Sequence, residues 1–230
     1  MDKILELKQI VKIYGEQTKN PYKALHEIDL SIQKHSFNAI IGQSGSGKST
    51  MLNIIGTLDK PTKGQVMFNG VDISSYTKEQ LAEFRNRKIG FIFQFHYLLP
   101  EFTAIENVLM PYRISKQPLT DSVIQRAKDL LETVGLTKYI NTPSINLSGG
   151  QQQRVAIARS LINLPDMVLA DEPTGNLDSD TTENVYQLLR EINAKFKTTF
   201  IIITHDRKVA EKADRIIELK DGRVYTDITK

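Results

Sequence analysis

The stretch Gly42-Gln43-Ser44-Gly45-Ser46-Gly47-Lys48-Ser49 fits the pattern G-x-x-x-x-G-K-[ST], and its residue types are those that phosphate chemistry requires. The glycines let the backbone curl so that successive N–H groups face an anion, and a helix starting at the end of the loop adds the positive end of its dipole. Lys48 supplies a point charge for β- and γ-phosphate oxygens, the Ser49 hydroxyl is a candidate Mg2+ ligand, and Thr50 is a neighbouring phosphate contact. A Gly/Ser-rich turn could carry the same letters. Here, however, the loop follows the apolar run Phe37 to Ile41 and precedes the helix-forming Met51, Leu52 and Ile54, so both halves of the strand–loop–helix context are present.

A phosphate loop needs a carboxylate for its metal, usually at the end of a neighbouring buried strand. Met167-Val168-Leu169-Ala170-Asp171-Glu172 supplies one. Asp171 is the metal-side candidate; Glu172, one position on and so pointing elsewhere, is the candidate for polarising an attacking water. Paired acids after a strand also occur as plain surface turns, and it is the phosphate loop upstream that favours the functional reading. Ser148-Gly149-Gly150-Gln151 reads as a helix start with an N-cap serine. Its exposed N–H groups and helix dipole make a second anion cradle.

Several elements must position these groups. Ile28, Leu30 and Ile32 alternate with Asp29 and Ser31, while Val66, Phe68, Val71 and Ile73 flank the turn pair Asn69-Gly70. These are half-exposed antiparallel strands and a hairpin. Phe37 to Ile41, Met167 to Ala170 and Phe200 to Ile203 have few polar residues and read as strands covered on both faces of a mostly parallel sheet. Thr120 is an N-cap candidate for a helix whose stripe is Val123, Ala127, Leu130, Leu131 and Val134, stopped by Gly135. A helical subdomain is expected at about 95 to 160, and a terminal hairpin at Arg215 to Leu219 and Arg223 to Tyr225.

Composition narrows the classes. A chain of 230 residues, 40% hydrophobic and 25% charged, can bury an ordinary core without staples. It has no cysteine, which removes disulfides, thiolate metal sites and thiol nucleophiles. No stretch reaches the roughly 18 to 20 apolar residues of a membrane span, and the start lacks a signal-peptide core; a soluble, cytoplasmic chain is the expectation. A net charge of +3 from 30 basic and 27 acidic residues, without a basic block, gives no reason to expect nucleic acid.

Leu147 to Gln151 reads LSGGQ and is followed by QQRVAIARSL; with this string the chain is identified as resembling the ATPases of ABC transporters along essentially its whole length. The resemblance implies an α/β P-loop NTPase fold: a mixed sheet core, an N-terminal antiparallel β subdomain and an inserted α-helical subdomain. It implies ATP hydrolysis with Mg2+, in a head-to-tail homodimer that buries each ATP between Gly42–Ser49 of one chain and Ser148–Gln151 of the other. By the same resemblance Tyr14 stacks on adenine, Gln94 senses Mg2+ and the γ-phosphate, Asp178 in Asn176-Leu177-Asp178 links the subunits, and His205 contacts the γ-phosphate and steadies water and Glu172. Lys34-His35-Ser36 and Asn38 depart from the usual wording, with consequences for local stability rather than for the nucleotide.

The segment Phe95 to Phe102 is too apolar for an ordinary exposed loop. A short cytoplasmic helix of a separate permease is the expected partner there; filling a seam within the chain is the alternative. The wording FQFHYLLPEFTAIENVLMP with ADEPTGNLDS resembles the subfamily of lipoprotein-releasing and macrolide-exporting ATPases, the lipoprotein-releasing branch above all. Antimicrobial-peptide export and the cell-division ABC complex share most of these residues. A small P-loop kinase would lack LSGGQ, and an ABC protein acting on DNA or ribosomes would carry two cassettes or long coiled-coil insertions.

Overall fold

The computed structural model describes residues 2–115 and 117–230, without the side chain of Ser179. In chain order its strands are β1 (Lys3–Tyr14), β2 (Tyr22–Gln33), β3 (Phe37–Ile41), β4 (Lys63–Phe68), β5 (Val71–Asp72), β6 (Ile89–Phe93), β7 (Met167–Asp171), β8 (Thr199–Ile203), β9 (Arg215–Lys220) and β10 (Arg223–Thr229). The helices are α1 (Lys48–Ile55), α2 (Lys78–Lys88), α3 (Ala104–Ile114), α4 (Asp121–Thr133), α5 (Gly149–Leu161), α6 (Ser179–Phe196) and α7 (Arg207–Ala210). They form two compact units, Met1–Ala82 with Asn193–Lys230, and Glu83–Ile192.

The first unit holds two sheets. One is antiparallel in the order β2-β1-β4-β5. In β2, Ile28, Leu30 and Ile32 are buried, while Asp29 between the first two is exposed, the alternation of a strand with one face on a core. In the other sheet β3 lies between β8 and β9 and runs parallel to both, and β10 closes the edge antiparallel to β9, so the sheet is mixed. All five residues of β3 and of β8 are buried. Their uniform apolar runs therefore mark strands covered on both faces. Phe37 and Phe200, opposite each other in the register, stack with ring centroids 5.5 Å apart. Burying each such ring contributes about 2 to 3 kcal/mol.

Two unusual sequence features near the entrance to β3 have local explanations. His35 turns the chain from β2 to β3 at φ 64, and its ring nitrogen Nδ1 bonds the Lys197 carbonyl. Asn38, only 1% exposed, donates through Nδ2 to Ser36 Oγ at 2.8 Å and to the Phe200 carbonyl at 3.0 Å. Its Oδ1 is buried without a hydrogen-bond partner, which costs stability and touches no functional group.

The second unit sets the parallel pair β6–β7 beside helices α3, α4 and α5. Along α4 the stripe Val123, Ala127, Leu130 and Leu131 is buried, as is Val134 after it, and Gly135 follows at φ 75. Thr120 occupies the cap position with extended backbone, but its hydroxyl pairs with Ser122 Oγ instead of the helix N–H groups. α3 has a capping box: the Thr103 side chain accepts from Glu106 N, and the Glu106 carboxylate accepts from Thr103 N at 2.9 Å. Among the described residues no helix is long and apolar enough to cross a membrane.

Candidate functional site

Within the first unit, chemistry collects at the C-terminal ends of parallel strands, the edge where α/β sheets bind ligands. The register Ile40↔Ile203 brings the end of β3, which opens into Gly42–Ser49, beside the end of β8, which leads to His205. Thr204 N donates to the Ile40 carbonyl at 3.2 Å and so extends the pairing one step toward His205. Asp206 then caps α7, its Oδ1 accepting from Lys208 N at 2.8 Å, so the exposed His205 stands between two fixed points.

The loop shows why its letters are what they are. Gly47, at φ 100, caps α1, and a Cβ there would stand 2.9 Å from the Ala24 carbonyl and from Leu25 Cδ2; a side chain fits neither the dihedral nor the space. Lys48 Nζ donates to Gly42 O at 2.8 Å and Gln43 O at 2.9 Å, holding its ammonium against the loop backbone. Ser46 Oγ is buried without a partner. A Cβ on Gly42 would stand 2.6 Å from this hydroxyl, and a buried donor without a partner in a phosphate-loop pattern suits a phosphate oxygen, so the loop fits the anion that its pattern implies. Tyr14 ends β1 and is partly exposed.

In the second unit, the pairing Phe93↔Asp171 ends β6 and β7 together and puts Gln94 and Glu172 side by side just beyond them. Glu172 turns the chain at φ 44, a conformation a glutamate adopts only where its surroundings hold it. Gly175 explains the tight packing of this turn. A Cβ on it would lie 2.7 Å from Gln94 Nε2 and 3.3 Å from Glu172 Oε2. Gln94 also exchanges hydrogen bonds with Asn176: its Nε2 donates to Asn176 Oδ1, and its backbone carbonyl accepts from Asn176 Nδ2, both at 3.3 Å.

The Leu147–Gln151 motif starts α5 as expected. Ser148 and Gln151 form a capping box, with Ser148 N donating to Gln151 Oε1 at 2.9 Å. Ser148 and Gly149 are exposed. A Cβ on Gly150 would meet Thr181 Cγ2 at 3.0 Å, which places this helix start against the segment containing Asp178. Both carboxylate oxygens of Asp178 serve α6: Oδ1 accepts from Thr181 N at 2.9 Å and Oδ2 from Thr181 Oγ1 at 2.8 Å. These bonds, the backbone one first, hold its carboxyl below the usual range.

Four residues with positioning roles escaped the sequence reading. Besides Gly175, buried Gln153 on α5 donates to the Pro173 carbonyl at 2.5 Å and ties that helix to the turn after Glu172. Arg159, two turns further along α5, donates to the carbonyls of His96 and Tyr97, the former pair at φ 57 and 48. Asn107 on α3, 1% exposed, donates to the carbonyls of Leu99, Phe102 and Thr103, each at 3.1 Å, and accepts from Leu99 N at 2.8 Å. The exposed apolar segment with Phe95, Tyr97, Leu99 and Phe102 is therefore stapled from beneath. Only the QRVAIAR and ENV wording in which they sit hints at this. Replacing Asn107 by Ala is expected to lower unfolding free energy by about 2 to 3 kcal/mol, because buried backbone groups lose their partners. Urea melts would measure the loss, and amide exchange of Leu99, whose N–H loses its acceptor, should speed up more than that of α4.

The family model for ABC transporters matches residues 25–175, a span that takes in the phosphate loop, Gln94, Leu147–Gln151 and Glu172. The chain belongs to the ABC transporter family. Among the relatives of this ABC ATPase is the lipoprotein-releasing system ATP-binding protein LolD 1 of Rhodopseudomonas palustris, 47% identical over 224 residues that cover 97% of this chain and 99% of that one. The LolD protein of Shewanella frigidimarina is 49% identical over 221 residues, covering 95% and 91%. A cassette solved as a dimer in a post-hydrolysis state, bound to ADP and Pi, superposes with a TM-score of 0.88 at 42% identity and 98% coverage of both chains. A dimeric bacterial ABC transporter cassette matches with the same figures. The fold is thus that of the ABC ATPases, as the motifs imply.

Proposed function

We propose that this ABC ATPase powers a lipoprotein-releasing system: that it binds and hydrolyses ATP as a homodimer at the cytoplasmic face of a bacterial inner membrane and drives a separate permease. The observation that carries this reading is the 47% identity to a lipoprotein-releasing ATP-binding protein across nearly the full length of both chains. The dimeric form of similar cassettes supports the homodimer.

Each residue then has a role. The amides of Gly42, Gln43, Ser44, Gly45, Ser46 and Gly47, with Lys48 and Thr50, hold the phosphates, and Tyr14 stacks on adenine through its π face. Ser148, Gly149, Gly150 and Gln151 present a second set of donors to the γ-phosphate bound by the partner, across a contact to which Asp178 contributes. Glu172 orients the attacking water, with His205 and Gln94 holding the γ-phosphoryl and water in line. The Ser49 hydroxyl, the Asp171 carboxylate and the Gln94 amide oxygen are hard oxygen donors of the kind Mg2+ takes. Mg2+, when bound, neutralises charge that develops on the phosphoryl oxygens. The segment Phe95–Phe102, exposed yet stapled by Asn107 and Arg159, offers a shaped apolar surface to the permease.

Reconstitution of the chain with a permease of the lipoprotein-releasing class in liposomes tests the reading. ATP-dependent transfer of a lipidated protein to a soluble acceptor, lost in Glu172→Gln, is the expected result. Macrolide export without lipoprotein transfer would assign the chain to the exporter branch instead.

A further inference from the structure

Lys12 sits two residues before Tyr14 on β1, and its ammonium is held by groups from the loop after α1. Nζ donates to Asp59 Oδ1 at 2.7 Å and to the Lys60 carbonyl at 2.8 Å, while Lys60 N closes on the same Asp59 oxygen at 2.7 Å. So fixed, Nζ stands 4.9 Å from the centroid of the Tyr14 ring, over its face. The Lys12 side chain is 12% exposed, so the ammonium works largely out of water, where a cation over a ring is strongest. Burial alone would raise the Asp59 carboxyl, but the Lys12 bond, the Lys60 N–H and the Tyr14 hydroxyl together hold it below its usual range. Tyr14 is thereby held to the anchor through the face of its ring.

We propose that Lys12, anchored by Asp59 and Lys60, is a positioning residue for nucleotide binding: it occupies one face of Tyr14, fixes the ring plane and leaves the other face as the adenine platform. This rests on the reading of Tyr14 as the adenine contact. A cation already seated on one face keeps the ring from turning against the protein, so stacking with a base costs less ordering.

The test is calorimetric titration of the full chain with Mg-ATP and, in parallel, with Mg-tripolyphosphate, which has phosphates and no base. Lys12→Met should weaken ATP about tenfold and leave tripolyphosphate unchanged, with Lys12→Arg recovering most of the loss. Asp59→Asn, which removes the anchoring charge and leaves the ammonium its bond to the Lys60 carbonyl, should weaken ATP by about threefold under the same contrast, and it serves if Lys12→Met does not fold. Equal weakening of both ligands, or of neither, overturns the proposal. Tyr14→Ala separates the two readings: if it weakens ATP while Lys12→Met does not, Lys12 alone is misassigned; if Tyr14→Ala leaves ATP binding intact, the platform itself lies elsewhere.

Discussion

Replacing Glu172 by Gln is expected to slow ATP turnover about 10³-fold, within the usual range for a positioned base, while leaving ATP affinity within about twofold of wild type. Geometry favours so clean a separation. Glu172 lies just past β7 at φ 44, next to Gln94 past β6, and both side chains press on Gly175. A glutamine has the same length and shape, so the turn, the Gln94–Asn176 bonds and the phosphate loop persist. What disappears is the carboxylate to which the proposed mechanism gives the proton from water. Phosphate release gives the rate, and titration with a fluorescent ATP analogue gives the affinity. A fall in affinity that tracks the fall in rate would mean that Glu172 holds the nucleotide instead of the water.

Ser148→Arg is expected to reduce turnover at least about 10²-fold by a different route, since it leaves the phosphate loop of the same chain untouched. Ser148 is exposed and heads α5 with its capping box to Gln151. An arginine there removes the cap, a loss of about 1 kcal/mol, and projects a long charged side chain where, in the proposed shared site, the partner's nucleotide would approach. Ser148→Ala removes the cap and the hydroxyl donor but adds neither bulk nor charge, and should lose activity by no more than about tenfold, so the two variants distinguish a lost hydroxyl from a blocked interface. Steady-state phosphate release on both, with melting curves alongside, makes the comparison.

What the sequence reveals and what it hides follow from how far each interaction reaches along the chain. β3, β7 and β8 are legible because burial on both faces leaves almost no polar residue in five positions. The phosphate loop is legible because its glycine spacing answers a backbone need, which Gly47 at φ 100 shows directly. α4 is legible because four of its apolar residues share one face. α2, by contrast, buries only Leu81, and α3 carries Pro111 within the helix and an asparagine, Asn107, in its buried face. Neither matches the pattern of a helix packed by apolar side chains. The positioning residues were hidden for a related reason. Arg159 acts on carbonyls 62 and 63 residues away, and Gln153 on one 20 residues away, and backbone carbonyls have no letter in a sequence. The segment Phe95–Phe102 announced its apolarity, but only the fold shows that its larger side chains stay exposed over polar staples.

The claim on which the mechanism turns is that each ATP is shared between the loop of one chain and the α5 start of another. Light scattering of the Glu172→Gln protein with and without Mg-ATP, repeated with Ser148→Arg added, measures it directly. A monomer that becomes a dimer only with ATP, and that fails to do so once Ser148 is arginine, is the predicted result; a Glu172→Gln protein that stays monomeric at saturating ATP while wild type hydrolyses it would contradict the shared site.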